Sequence, residues 1–175
     1  MDIKIRDIKP EDIESTTRLY HETWLATYPS EKYNITREDI DFRYKDSYTK
    51  ERLEKAAQRI ENLPANEKYL VVEIDGKIVG VSRVLRHADK NELKTIYVLP
   101  GFQGKGIGQR LWNEGKKFLN SKLPTIVHVA VYNEGAIAFY KKNGFRETGN
   151  LFTDERFRMR NGSLFPETEL VLDPK

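Results

Sequence analysis

Gly104, Gly106 and Gly108 fall within five residues, in the run Gln103-Gly104-Lys105-Gly106-Ile107-Gly108-Gln109. No side chain at those three positions can block approach to the backbone. The run follows a short β-branched and aromatic stretch, Leu93 to Leu99, closed by Pro100-Gly101; that reads as a strand and its stop. It precedes a helical pattern with Ile107, Leu111, Trp112, Phe118 and Leu119 on the apolar side. A glycine-rich turn that opens a helix offers unpaired N–H groups at the positive end of the helix dipole. Such a turn suits a phosphate or pyrophosphate. Lys105 adds a positive charge at the rim.

Two nucleotide readings meet specific absences. A Walker A loop needs Ser or Thr after Gly-Lys to reach magnesium, and Gly104-Lys105 is followed by Gly106. A dinucleotide fingerprint starting at Gly104 needs a third glycine where Gln109 stands, and an acid closing the next strand. Ile126 to Val131 contains none. What remains is Gln-x-x-Gly-x-Gly after a strand ending Ile96-Tyr97-Val98-x-Pro. This segment resembles the acyl-CoA signature of the GNAT N-acetyltransferases. A second family segment, Asn133 to Phe145, lies at the matching distance. The run Glu22 to Tyr28 looks like the corresponding stretch of PaiA-type polyamine acetyltransferases, as more loosely does Tyr48 to Leu53.

The resemblance implies a GNAT fold: a mixed, mostly antiparallel α/β sheet of about seven strands, helices on both faces, and one splayed parallel strand pair at the acyl-CoA site. It implies acetyl-CoA as co-substrate. Gln103 through Gln109, that is Gln103, Gly104, Lys105, Gly106, Ile107, Gly108 and Gln109, would hold its pyrophosphate. Main-chain groups of Ile96, Tyr97 and Val98 would meet the pantetheine as a peptide meets a sheet edge. Asn133, Ala136 and Tyr140 would contribute from the second segment. Tyr140 matches the family's general acid, which protonates the leaving thiolate. Glu92, eleven residues before Gln103, matches the glutamate that serves as base in the histone-acetylating branch; other members use water chains. Trp24 and Tyr28, with Tyr33, Phe42, Tyr44 and Phe152 to Phe157 nearby, fall where the family places the acceptor.

The same residues have plainer readings. Asn133 suits a helix N-cap, Tyr140 a packed aromatic, and Glu92 a solvated loop-end acid. Trp24 and Tyr28 suit ordinary helix packing. His21, His87 and His128 have no metal-ligand spacing, and no serine sits in Gly-x-Ser-x-Gly. The chain has no cysteine, which excludes disulfides, thiolate metal sites and a cysteine nucleophile. Direct attack by an amine on the thioester needs no enzyme nucleophile. The resemblance implies acetyl transfer in a ternary complex to a small amine or polyamine. A protein N-terminus or lysine is the alternative acceptor, and a non-catalytic CoA-binding module of the same fold is the competing class.

The elements that must position these groups follow in order. Ile3 and Ile5 alternate with charges as in a half-buried strand. Pro10-Glu11-Asp12 starts a helix that Tyr28-Pro29 breaks. Thr36 to Asp39 caps a second helix, and Thr49 to Ile60 forms a third. Tyr69 to Ile74, Asp75-Gly76 and Lys77 to Leu85 read as a hairpin with a type I′ turn. Thr125 to Val131 is a strand parallel to Leu93–Leu99. Asn133 to Lys142 is a helix closed by Asn143-Gly144, and Phe145 to Phe152 extends. Phe157 to Arg160, Asn161-Gly162 and Glu167 to Leu172 suggest a last hairpin, with a homodimer through it as a family-based expectation. The 175 residues fit one domain, 1–175. Net charge is +3, too small to imply nucleic acid. Residues 1–62 carry 12 basic and 14 acidic side chains and residues 63–175 carry 18 and 13. The excess positive charge therefore lies in the half with the glycine loop. No segment suits a membrane span or a signal peptide, so the expected location is cytoplasmic.

Overall fold

The computed structural model describes residues 3–174; Met1, Asp2 and Lys175 lie outside the described residues. Seven strands form one sheet: β1 Ile3–Asp7, β2 Glu67–Ile74, β3 Lys77–Arg86, β4 Asn91–Val98, β5 Thr125–Ala130, β6 Arg146–Thr153 and β7 Pro166–Leu172. Their order is β1-β2-β3-β4-β5-β7-β6. Five helices pack on it: α1 Ile13–Thr27, α2 Arg37–Tyr44, α3 Lys50–Glu61, α4 Ile107–Gly115 and α5 Glu134–Lys142. All neighbouring strands run antiparallel except β4 and β5. No helix among the described residues is long and apolar enough to cross a membrane.

Local chemistry accounts for the boundaries. Asp75 and Gly76 take φ of 49° and 79°, which the type I′ turn between β2 and β3 requires. Thr36 and Asp39 form the reciprocal cap of α2: Asp39 N donates to Thr36 Oγ1 and Thr36 N donates to the Asp39 carboxylate. Successive residues of β3 face opposite sides. A β-carbon at Gly80 would lie 3.2 Å from Leu111, and one at Gly115 would lie 3.3 Å from Val84. Gly80 and Val84 thus face α4, while Val81 and Arg83 face α1. The helices α1 to α3 share that second face, and α5 joins α4 on the first, with Trp112, Tyr140 and Phe145 around Val127 and Leu170.

The parallel seam shapes the site. β4 and β5 pair only at Asn91–Thr125 and Glu92–Ile126; beyond that point the strands part. Asn91 holds the closed end and is fully buried. Its Nδ2 donates to the carbonyls of Asn120 and Leu123 at 2.9 and 3.2 Å, and its Oδ1 accepts from Asn120 N at 3.0 Å. Its backbone N donates to Pro124 O. One side chain therefore ties the connection after α4 to the start of β4. Asn91→Ala strips these partners at once. At about 1 kcal/mol net per hydrogen bond, plus the penalty for orphaned groups, urea unfolding should show a loss of about 2–3 kcal/mol. A loss below about 0.5 kcal/mol would show that the connection is held some other way.

The last predicted hairpin is not present as such. Glu155–Phe157 is one 3-10 turn, and Met159 to Ser163 closes a tight turn with Gly162 N on Met159 O. Phe157, Met159 and Phe165 turn inward onto Trp24 and Tyr28 instead of alternating along a strand. β7 pairs with β6 and β5, with Pro166 at its first position, where a missing N–H does least harm.

Candidate active site

The glycine loop opens α4. Gly104 and Gly106 have φ of 74° and 76°, and a β-carbon at either would meet nothing within 4 Å. These glycines serve backbone conformation and an open surface, not close packing. From Gly104 to Gln109 no main-chain N–H finds an acceptor among the described residues. The loop thus presents successive free donors at a helix N-terminus, the arrangement that holds anionic oxygens. Lys105 Nζ donates to Gly101 O and lies 5.1 Å from the Phe102 ring centre. Gln103 Nε2 donates to Val98 O at 2.9 Å, which anchors the loop to the end of β4. Gln109 Nε2 donates to Asn143 Oδ1 at 2.7 Å, so α4 and α5 stand side by side.

Across the parting seam, β4 pairs with β3 through Ile96, Tyr97 and Val98. Its other edge has no strand partner beyond Glu92. An unpaired strand edge offers main-chain groups to an extended ligand. Asn133 caps α5, its Oδ1 accepting from Ala136 N at 3.2 Å; its Nδ2 has no acceptor among the described residues. Tyr140 is buried on α5 in the cluster with Val127 and Val129. Its hydroxyl makes no hydrogen bond among the described residues. Burial, with the neighbouring Tyr97, holds this phenol well above the usual range, so it stays protonated.

The opposite face of the seam opens into a cavity of about 1150 Å³. Trp24, Tyr28, Tyr44, Glu92 and Tyr97 line it, with Asp154 and Phe157 from the segment after β6. Trp24 and Tyr28 also belong to the buried aromatic cluster, their rings 4.3 Å apart. Of the other aromatics expected there, Tyr33 instead stacks on Tyr132 and Phe42 lies exposed under Lys45. Glu92 accepts from Lys94 Nζ at 3.0 Å and approaches His87 Nε2 at 3.1 Å. Burial alone would raise its pKa, but Lys94 and His87 outweigh that and hold it below the usual carboxylate range.

Three features escaped the sequence. Tyr28 and Tyr97 share a hydroxyl–hydroxyl hydrogen bond of 2.9 Å, where the pattern gave Tyr97 only a main-chain role. Glu67, its side chain 2% exposed, is clamped by Arg59 and Arg83. Glu167, 6% exposed, faces the cavity. An acid alternating with Thr and Leu on β7 was the available signal for Glu167, but nothing in the sequence placed β7 next to β5.

A sheet opened along a parallel seam, with free helix-terminal donors on one side and an acid- and aromatic-lined cavity on the other, is an arrangement suited to an anionic ligand beside a second molecule. A model of the acetyltransferase (GNAT) family matches residues 14–145. The chain therefore belongs to the acetyltransferase (GNAT) family, and with it to the acetyl-CoA-dependent N-acetyltransferases. It is 30% identical over 151 residues to a spermidine N(1)-acetyltransferase of Thermoplasma acidophilum, covering 83% of this chain and 89% of that protein. A PaiA N-acetyltransferase structure from Thermoplasma acidophilum, solved with coenzyme A, superposes with a TM-score of 0.70 at 27% identity, covering 95% and 98% of the two chains. The ribosomal-protein-S18-alanine N-acetyltransferase of Escherichia coli shares the fold at 16% identity, with a TM-score of 0.63 and coverage of 98% and 93%.

Proposed function

We propose that the protein transfers the acetyl group of acetyl-CoA to a small primary amine or polyamine. The observation that carries this reading is the opened β4–β5 seam, flanked by the free N–H run at the start of α4, Tyr140 on α5 and the cavity on the other face. The relative of that length named for spermidine supports the acceptor class. The donor contributes a thioester carbonyl and a thiolate leaving group. Residues 103–109 would hold its pyrophosphate, the open edge of β4 at Ile96 to Val98 its pantetheine, and Asn133 and Ala136 the rim on α5. A main-chain N–H near Val98 would polarise the thioester oxygen. Tyr140 would give its proton to sulfur. Trp24 and Tyr28 would shape the acceptor end of the cavity, where Arg43 already lies 4.9 Å over the Trp24 ring. Glu92 is the acid the family pattern offers as base; Lys94 and His87 beside it keep it ionised but weakly basic.

The test is thiol release from acetyl-CoA against spermidine, diamines, aminoglycosides, amino acids and short peptides. Spermidine or a diamine should be turned over fastest. Turnover of peptides alone would replace the acceptor with a protein N-terminus. No turnover with any amine, alongside tight coenzyme A binding by calorimetry, would replace the enzyme with a binding module.

A further inference from the structure

We infer that Glu167 on β7 is the residue that takes the proton from the acceptor's ammonium group, a role resting on the amine-acetylation reading above. The geometry separates it from Glu92. The β4–β5 pairing ends at Glu92–Ile126. Glu167 lies opposite Ala130 in the β5–β7 ladder, four residues further along β5. The matching advance along β4, which carries one extra residue where its pairing with β3 shifts register, reaches Tyr97, on the edge offered to the acyl chain. At about 3.3 Å per residue, Glu92 lies roughly 13 Å back along the strand from that level. Paired residues of a ladder share a face, so Glu167 turns to the cavity side with Ala130 and His128.

Its surroundings leave it free to act. Glu92 is tied to Lys94 and His87, and Asp154 to Arg156. The Glu167 side chain has no hydrogen bond or ion pair among the described residues, although the residue is 6% exposed. The groups that face it are Asp154 and Arg156 from the segment after β6, Lys94 and Tyr97 from β4, and Tyr28 from α1. His128, on the same face of β5, is engaged with Glu169. Burial and the Asp154 charge push Glu167 up to about 7, against the weaker pull of Arg156 and Lys94. A carboxylate of that basicity is matched to proton transfer near neutral pH.

The step balances within the chain's own groups. Glu167 accepts one proton from the ammonium, and the freed nitrogen lone pair forms the bond to the acetyl carbon. As the carbon–sulfur bond breaks, Tyr140 donates to the thiolate. The second amine proton, lost as the amide forms, restores the one Tyr140 gave.

Two measurements test this. The first is kcat and KM against pH for wild type and Glu167→Gln with the best amine of the panel. The variant should lose about 100-fold in kcat, with KM for the amine nearly unchanged. Its rate should climb steadily with hydroxide instead of levelling near pH 7. A variant within about threefold of wild-type kcat, with the levelling intact, would overturn the assignment; so would a limb that vanishes in Glu92→Gln and survives in Glu167→Gln. The second needs no turnover: carboxyl 13C NMR of glutamate-labelled protein, with Glu167→Gln identifying the signal. Titration near neutrality is expected, and an ordinary carboxylate midpoint overturns the proposal. Wild-type inactivity towards every amine would instead overturn the acetylation reading itself.

Discussion

Tyr140→Phe should lower kcat by about 10² to 10³-fold while leaving coenzyme A affinity within about threefold. The substitution removes one oxygen from a ring that is otherwise held by Phe139 and Phe145, 5.6 and 5.7 Å away. Packing is therefore kept, and the hydroxyl has no hydrogen-bond partner among the described residues to orphan. What is lost is the proposed donation to the departing thiolate. Burial, then the proximity of Tyr97, raises its pKa, so ionisation of Tyr140 should not limit kcat anywhere below about pH 10. Isothermal titration with coenzyme A and steady-state kinetics on the same preparations check both halves. A variant that keeps wild-type kcat would remove Tyr140 as the acid. One that loses coenzyme A binding in step with kcat would make it a binding residue.

Much of this architecture could be read from the residues because the signals were local. Asp75-Gly76, Thr36 with Asp39, Pro10 and Asn143-Gly144 each mark a boundary by backbone chemistry that acts within four residues, and the elements begin and end beside them. The glycine loop was legible for the same reason: positive φ at Gly104 and Gly106 and free N–H groups at a helix start follow from the chain itself. The parting of β4 from β5 was expected only through the family resemblance, since it depends on how the connection after α4 is tied down, and Asn91 does that through residues about thirty positions away. The region after Thr153 misled for a related reason. Phe157, Met159 and Phe165 carry the apolar character of a strand, yet they fill the gap beside Trp24 and Tyr28 from irregular backbone. With that strand gone, β7 moves between β5 and β6, and Glu167 arrives at the seam. Long-range order of strands, not their existence, decided which acid reached the cavity.

Glu67→Gln should destabilise the fold by about 3 kcal/mol, the lower part of the range for breaking a buried ion pair by removing one partner. The Glu67 side chain is 2% exposed, between Arg83 at 26% and Arg59 at 42%; solvent around Arg59 screens part of the loss. For a chain of this size that corresponds to a fall in Tm of about 6–12 °C. Burial alone would raise the pKa of Glu67, but the hydrogen bonds and charges of Arg83 and Arg59 more than reverse it. The folded state therefore binds its proton less readily than the unfolded chain does. The contribution should be complete above the unfolded carboxylate value, about 4.3, and fade as acid carries the pH through the lower folded value. Urea melts of wild type and variant should accordingly differ by a constant amount from about pH 5.5 to 8 and converge below about pH 4. A gap that widens in acid would reverse the sign of the linkage and break the argument. The pair also reaches the site. Arg83 lines the cavity beside Tyr20 and Tyr69, and without Glu67 its charge is no longer neutralised. A cationic acceptor should then bind more weakly to Glu67→Gln, with a raised KM at temperatures where the variant is still folded, whereas a neutral or anionic acceptor should not. The same substitution thus reads out both the stability of the sheet and the charge of the molecule the cavity takes.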